Sequence, residues 1–140
     1  MTNILDIEIT YIPPKMELED VMNQIHDSFS STPFYFTEDF CFAVREALIN
    51  SLEASKGLSA ENQMIFIHAT YDNNEAVVEI SELGKPFDEN RINFSKETTF
   101  EDVLYEERGR GLLFINLFTD EFTFTQNYEG LKIFTLRKKG

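Results

Sequence analysis

Five short segments of the chain are rich in strand-forming residues, and the first of them alternates apolar with polar positions. Such segments predict β-strands, whose side chains point to the two faces of a sheet in turn. The predicted strands are Ile4–Ile12, Met64–Tyr71, Glu75–Ser81, 121–126 and 131–139. Asp72, Asn73 and Asn74 link the second and third strands and have the residue types of a hairpin turn, so these strands should pair antiparallel.

Apolar residues at helical spacing predict three helices. The first should follow Pro13-Pro14 and has its core positions at Leu18, Val21, Met22, Ile25 and Phe29. In the second, Thr37 is predicted as the N-cap and Gly57 as the stop, with core positions at Ala43, Val44, Ala47, Leu48, Ser51 and Leu52. A short third helix is predicted from Leu112 to Phe118. The pattern predicts an α+β fold, a two-layer sandwich of a mostly antiparallel sheet with helices on one face, in one domain, residues 1–140.

The charge balance disfavours two classes of partner. The chain has 25 acidic residues against 12 basic ones, and its net charge of -13 repels phosphate backbones and anionic lipid surfaces. Direct nucleic-acid binding and membrane binding are therefore not expected. The one cysteine, Cys41, lies between two phenylalanines and suits a buried position. With no apolar run near the roughly 20 residues of a membrane span, we expect a soluble, cytoplasmic protein.

A glutamate and an asparagine stand four residues apart on the second predicted helix, which otherwise faces the core. Four residues is slightly more than one helical turn, so Glu46 and Asn50 project from one side and can reach the same point in space. Taken alone the pair is a weak signal, because charged residues on helices are most often simply exposed. It needs other motifs beside it before it indicates a site.

Two further motifs contain glycines at the ends of predicted elements. In "SELGKPFD", Glu82 is followed by Gly84 after a strand, where glycine and proline make turns for conformational reasons alone. In "RGRGLLFI", Gly109 and Gly111 flank Arg110 directly before the third predicted helix. Glycines at such a place let backbone amides approach an anion, and a helix N-terminus favours negative charge.

In their order and spacing these motifs resemble the GHKL (Bergerat-fold) ATPases. Within that superfamily the chain looks most like the anti-sigma factor serine/threonine kinases of the RsbW type. The resemblance extends from "ITYIPPKMELEDV" through "FAVREALINSLEAS", "SELGKPFD" and "ERGRGLLFINLFTDEF" to "EGLKIFTLRKK". It implies an ATP-binding fold of the same α+β class that the elements predict.

The resemblance also implies roles for individual residues. It makes Glu46 the general base and Asn50 the ligand of the Mg²⁺ that bridges the nucleotide phosphates, and one amide oxygen with phosphate oxygens suffices for that ion. It places Glu82 and Gly84 at the adenine, and it makes Glu89–Glu106 a lid over the nucleotide. The phosphate-binding residues that it implies are Arg108, Gly109, Arg110, Gly111 and Leu112, with Leu112 as the first helical residue.

The chain departs from the family pattern at several positions. The acid at the adenine is Glu82 where the family normally has an aspartate, so the base or the strand end must shift by about a methylene. Pro86 stands where a second glycine is usual, and Ala54 replaces a basic residue or histidine. Leu131 and Lys132 stand where a threonine is common. These changes bear on adenine affinity and leave the first motif intact.

The resemblance implies a cytoplasmic kinase, dependent on ATP and Mg²⁺, that phosphorylates a serine or threonine of a STAS-type anti-sigma antagonist. Such a protein would also sequester a sigma factor and act as a homodimer in transcription regulation. The alternative is a non-catalytic module of the same fold that sequesters a regulatory protein, with weak or no nucleotide turnover. A histidine kinase catalytic domain ranks last, because no helix pair bearing a phosphorylated histidine is expected. His26 and His68 are predicted as surface or core residues, not metal ligands.

Overall fold

A computed structural model describes residues 4–54, 63–83, 107–126 and 131–140, with the backbone alone for residues 54, 83, 107–112 and 126. The elements in these ranges are β1 (Leu5–Tyr11), α1 (Leu18–Ser30), α2 (Thr37–Ala54), β2 (Ile65–Asp72), β3 (Glu75–Leu83), α3 (Glu107–Phe118), β4 (Glu121–Gln126) and β5 (Leu131–Lys139). Every predicted strand and helix is confirmed, with differences at the ends. The predicted stop at Gly57 lies outside the described residues.

The five strands form one sheet in the order β1-β2-β3-β5-β4, and each neighbouring pair is antiparallel. The tight connection between β2 and β3 places Asn73 at φ 53° and Asn74 at φ 61°. Asparagine tolerates this left-handed conformation, and two such residues in succession match the twist of a hairpin. The predicted hairpin is therefore confirmed.

One face of the sheet is covered by helices. Along the strands every second residue turns to this face, where Ile9, Ile67, Ile80 and Phe134 lie in register across four strands and are all buried. The helices cover this face with apolar side chains from α1 (Val21, Met22, Ile25 and Phe29) and from α2 (Phe40, Ala43, Val44, Ala47 and Leu48). The predicted α+β architecture, with helices packed on an antiparallel sheet, is confirmed.

The cysteine belongs to this core. Cys41 is a free thiol and is buried near the start of α2. Burial, and to a smaller degree the charge of Glu38, raises the pKa of the thiol to about 12. A thiolate is therefore strongly disfavoured, and the prediction of a packing role is confirmed.

The N-cap prediction for α2 is wrong by one residue. The amide of Phe40 donates to the carbonyl of Phe36 at 2.9 Å, so the first helical turn is closed from Phe36 and Thr37 is already helical. The buried Thr37 hydroxyl donates to the Phe34 carbonyl at 3.3 Å, whereas an N-cap hydroxyl accepts from a helix amide. The threonine therefore predicted the correct end of the helix, but the N-cap position is Phe36 and not Thr37.

The third helix starts five residues earlier than predicted, at Glu107 where Leu112 was expected. An acidic residue suits the positive end of a helix, and a glycine inside a helix costs only about 1 kcal/mol relative to alanine. Packing of α3 against α2 can offset that cost. The two glycines were read as the end of a loop, and they are part of the helix.

Candidate functional site

Glu46 and Asn50 lie on α2, on the side that is not buried in the core. Both side chains are half-buried, while Ala47, Leu48 and Ser51 beside them are buried. Burial raises the pKa of the Glu46 carboxyl, and the charge of Arg45 opposes this rise. The helix therefore holds a carboxylate and an amide side by side in a partly dehydrated environment, as the four-residue spacing predicted.

Glu82 lies near the end of β3 and is directly linked to α2. Its side chain is only 3% exposed, and it accepts a hydrogen bond from the buried Ser51 hydroxyl. Among the described residues the Glu82 Oε2 atom has no hydrogen-bond partner. Ser51 directly follows Asn50 on α2. The residue that hydrogen-bonds the buried Glu82 carboxylate is therefore the sequence neighbour of the residue that carries the half-buried amide.

Lys132 lies directly opposite Glu82 in the antiparallel register of β3 and β5. Its side chain is 1% exposed, which makes it one of the largest fully buried side chains described. Directly opposed residues point to the same face of a sheet, with Cβ atoms about 5 Å apart. A buried acid and a buried base thus stand side by side beneath α2.

The pKa values of this pair shift toward the neutral forms. Burial raises the pKa of Glu82 to about 7, although the charge of Lys132 and the Ser51 hydrogen bond both lower it. Burial likewise lowers the pKa of Lys132, and the Glu82 charge only partly opposes this. For both groups the loss of hydration outweighs the mutual attraction, as is common for buried ion pairs.

The predicted phosphate-binding segment, Arg108 to Leu112, lies in the first turns of α3. The first amides of an α-helix have no partner within the helix, and with the start at Glu107 the Gly109 amide is one of them. The Gly111 amide is placed to bond the Glu107 carbonyl instead. The sequence predicted two glycines ahead of the helix, with amides open to an anion. In the structure both glycines are helical, and only the Gly109 amide is without a partner inside the helix. Gly84 and the predicted lid, Glu89–Glu106, lie outside the described residues.

Aromatic rings join α3 to α2. The ring of Phe42, near the start of α2, contacts Phe114 at 5.2 Å and Phe118 at 5.7 Å between centroids, in both cases edge to face. Such pairs contribute about 0.5–1.5 kcal/mol beyond the area that they bury. The end of α3 is thereby fixed against the start of the helix that carries Glu46 and Asn50.

Each histidine hydrogen-bonds a carboxylate at the protein surface. His26 Nε2 lies 2.6 Å from Glu38 Oε1, and His68 Nε2 lies 2.7 Å from Asp6 Oδ1. In the described part of the chain, no group of three or more histidine, cysteine, aspartate or glutamate side chains is arranged to hold a metal ion. Both histidine side chains are partly exposed, so of the two predicted alternatives, surface or core, the structure has the surface one.

Sequence reasoning missed two members of the site. Ser51 was assigned only to the core of α2, and its position under Glu82 depends on how the helix packs on the sheet. Lys132 was noted only as a departure from a family pattern. The period of two in β5 contained a usable signal, because Lys132 shares its strand face with Phe134 and Leu136, which are core residues.

Residues 17–138 match a family model described as a histidine kinase-like ATPase domain. The match includes both sides of the site, from α2 to β5. No curated protein matches the sequence significantly.

The described helices were also compared with the requirements of a bilayer crossing. None of them combines the necessary length with the necessary apolar character.

Proposed function

Because the chain belongs to the family of histidine kinase-like ATPase domains, we propose that it binds ATP with Mg²⁺ and phosphorylates a serine or threonine of a STAS-type anti-sigma antagonist. The family indicates ATP binding in a GHKL fold, and the kinase activity and its target are the proposal. The protein would also sequester a sigma factor and act as a homodimer, as the kinases that it resembles do. The observation that carries the proposal is the pairing of half-buried Glu46 and Asn50 on one side of α2.

Glu46 is the general base of this proposal. Partial burial raises the pKa of its carboxyl, which strengthens it as a proton acceptor. A carboxylate at this position can accept the proton of an incoming serine or threonine hydroxyl. Most of the remaining catalysis in phosphoryl transfer is positioning and charge stabilisation.

The Asn50 amide oxygen fits Mg²⁺, which takes oxygen ligands and keeps several waters, so that one protein ligand with phosphate oxygens is enough. Bound Mg²⁺ would neutralise charge on the phosphates. An antiparallel pairing of α2 and α3, with the end of α3 against the start of α2, would direct the Gly109 amide toward the half of α2 that carries Asn50.

The buried carboxylate fits the base of the nucleotide. Glu82 Oε2 is a desolvated acceptor that no described residue satisfies, and leaving such a group without a donor costs about 1–3 kcal/mol. The exocyclic amino group of adenine is a donor that could meet it. The open side of α2 and the buried end of β3 can thus serve the two ends of one ligand.

Phosphoryl transfer from γ-labelled ATP to small STAS-domain proteins encoded near this chain tests the proposal. We expect Mg²⁺-dependent labelling of a serine or threonine by the wild-type protein. Glu46→Gln should reduce the transfer rate by about 100-fold or more, the usual contribution of a general base, with nucleotide binding retained. Asn50→Ala should remove the Mg²⁺ dependence of nucleotide binding.

Asp39→Asn is the matched control, because it makes the same change from acid to amide on an exposed residue of the first turn of α2. It should transfer phosphate like the wild type. Transfer at the wild-type rate by Glu46→Gln would contradict the assignment of the base, and unchanged Mg²⁺ dependence in Asn50→Ala would contradict the metal ligand.

The second candidate is a non-catalytic module that sequesters a regulatory protein. One observation favours it: Gly111 lies inside α3, so its amide is not left open for a phosphate. A thermal shift separates the two functions, because ATP at about 100 times its Kd adds about 2.7 kcal/mol to the free energy of unfolding. No shift with millimolar ATP and Mg²⁺ would favour the second candidate.

A further inference from the structure

The burial of Glu82 and Lys132 has a large desolvation cost, which a structural role alone does not explain. Two charged groups that are 3% and 1% exposed have lost nearly all their hydration. Replacing a buried ion pair by apolar residues of similar size is often neutral or stabilising, so such a pair is weak evidence for stability. Buried titratable groups with strongly shifted pKa values are more typical of functional sites.

The pair presents an acceptor beside a donor on one face of the sheet. Glu82 Oε2 is an acceptor with no partner among the described residues, whereas the Ser51 hydroxyl already donates to this carboxylate. Lys132 stands opposite Glu82 in the strand register. An ammonium group has three donor hydrogens, so Lys132 can bond a second acceptor while it interacts with the carboxylate.

We propose that Lys132 is a base-reading residue of the nucleotide site, donating a hydrogen bond to N1 of an adenine whose N6 amino group donates to Glu82. The inference rests on the proposed function, since it deepens the recognition of the same nucleotide. The polar edge of adenine carries the N6 donor directly beside the N1 acceptor. The side-by-side acceptor and donor of Glu82 and Lys132 match this edge in both polarity and adjacency.

The proposal gives a chemical role to a cation that is buried beside a carboxylate. A carboxylate by itself satisfies only the donor of the adenine edge and leaves N1 desolvated and unpaired. A cation from the neighbouring strand satisfies N1 with a charge-assisted hydrogen bond, which is about twice as strong as a neutral one. Specificity for adenine then depends on residues of two strands, β3 and β5, and not on a single acidic residue.

The test compares ATP with 1-deaza-ATP, in which a C–H replaces N1 and no other atom of the polar edge changes. Binding of each nucleotide with Mg²⁺ is measured by titration calorimetry on the wild-type protein and on Lys132→Met. We expect the wild type to bind 1-deaza-ATP about tenfold or more weakly than ATP. In Lys132→Met the two nucleotides should bind within about twofold of each other, because the group that distinguishes them is gone.

Lys138→Met is the control, because Lys138 belongs to the same strand but ion-pairs with Asp120 at 3.2 Å, six residues from Lys132. It should keep the wild-type discrimination. Lys132→Gln serves if Lys132→Met does not fold: its amide still donates but is uncharged, so its discrimination should lie between those of the wild type and the methionine variant.

Equal binding of ATP and 1-deaza-ATP by the wild type overturns the assignment of Lys132, whatever the variants do. Wild-type discrimination that persists undiminished in both Lys132→Met and Lys132→Gln overturns it as well. Failure of the nucleotide-binding part of the proposed function gives a different result, because the wild type then binds neither nucleotide. Nucleotide binding without phosphoryl transfer leaves the reading of N1 by Lys132 intact and removes only the kinase activity.

Discussion

Two neighbouring rows of side chains cross the helix-covered face of the sheet, and they bury different chemistry. The apolar row consists of Ile9, Ile67, Ile80 and Phe134, and the charged row consists of Tyr11, Ile65, Glu82 and Lys132. They lie two residues apart along every strand, and all eight side chains are buried. Strand pairing and burial are shared, so the difference in composition reflects what each row does.

The apolar row is what hydrophobic burial selects. Each fully buried aliphatic side chain contributes about 1.5–3 kcal/mol by leaving water, with no polar group to satisfy. In the charged row Glu82 and Lys132 do not contribute this hydrophobic free energy. Burial raises the pKa of Glu82 and lowers that of Lys132, so it favours the neutral form of each. The comparison shows one row that stabilises the sheet by burial and a second row whose burial is costly, which agrees with the proposed role of the second row in nucleotide recognition.

The largest expected effect comes from breaking the charged row. Lys132→Met leaves Glu82 buried without its cation and should lower the free energy of unfolding by about 3–5 kcal/mol at pH 8, where the wild-type carboxylate is mostly ionised. The double variant Glu82→Leu/Lys132→Met should restore stability to the wild-type level or above it. Urea denaturation measures both. A double variant as unstable as Lys132→Met would show that the charged row stabilises the fold, which would contradict the difference between the two rows.

The next effect is a pH dependence of the charged row. The pKa of Glu82 is about 7 in the folded protein against an ordinary 4.5, so the folded state binds this proton more tightly. The resulting stability is full below about pH 4.5 and is lost as the pH rises through 7, by roughly 3 kcal/mol.

The free energy of unfolding of the wild type minus that of Glu82→Gln, measured from pH 4.5 to 8, isolates this contribution. The difference should fall over that range, because the amide does not titrate. A difference that is flat or that rises with pH would contradict the raised pKa of Glu82.

The smallest effect belongs to the apolar row. Ile80→Val removes one buried methylene and should cost about 0.5–1.5 kcal/mol, with little dependence on pH. It should leave the ratio of ATP to 1-deaza-ATP affinity unchanged. Urea denaturation at two pH values and the same calorimetric titrations check it. A change in nucleotide discrimination comparable to that of Lys132→Met would erase the distinction between the rows.

The sheet and the helices could be predicted from the sequence because their signals are local. Period-two and helical spacing depend on neighbouring residues, as does the choice of asparagine in the turn at Asn73 and Asn74. The starts of α2 and α3 were misplaced because the threonine and glycine signals apply to several adjacent positions. Packing decided between them, through the Phe34 carbonyl for Thr37 and through α2 for α3.

The site could be predicted where it lies on one helix and not where it spans elements. Glu46 and Asn50 follow from the geometry of a single turn. The contact of Ser51 with Glu82 joins a helix to a strand, and the pairing of Glu82 with Lys132 depends on the register of two strands that are distant in sequence. Neither contact is therefore encoded in a local pattern. The roles of Glu46, Asn50 and the glycine segment remain predictions.

The hydrogen bond from Ser51 to Glu82 has a mechanical consequence for α2. Asn50 and Ser51 are consecutive, so the hydrogen bond that ties Ser51 to Glu82 restricts the rotation of α2 about its own axis. That rotation determines where the Asn50 amide and the Glu46 carboxylate aim, one turn apart on the opposite side. A ligand that strengthens or weakens this hydrogen bond would therefore rotate both groups together, which couples the interior of the sheet mechanically to the exposed side of α2.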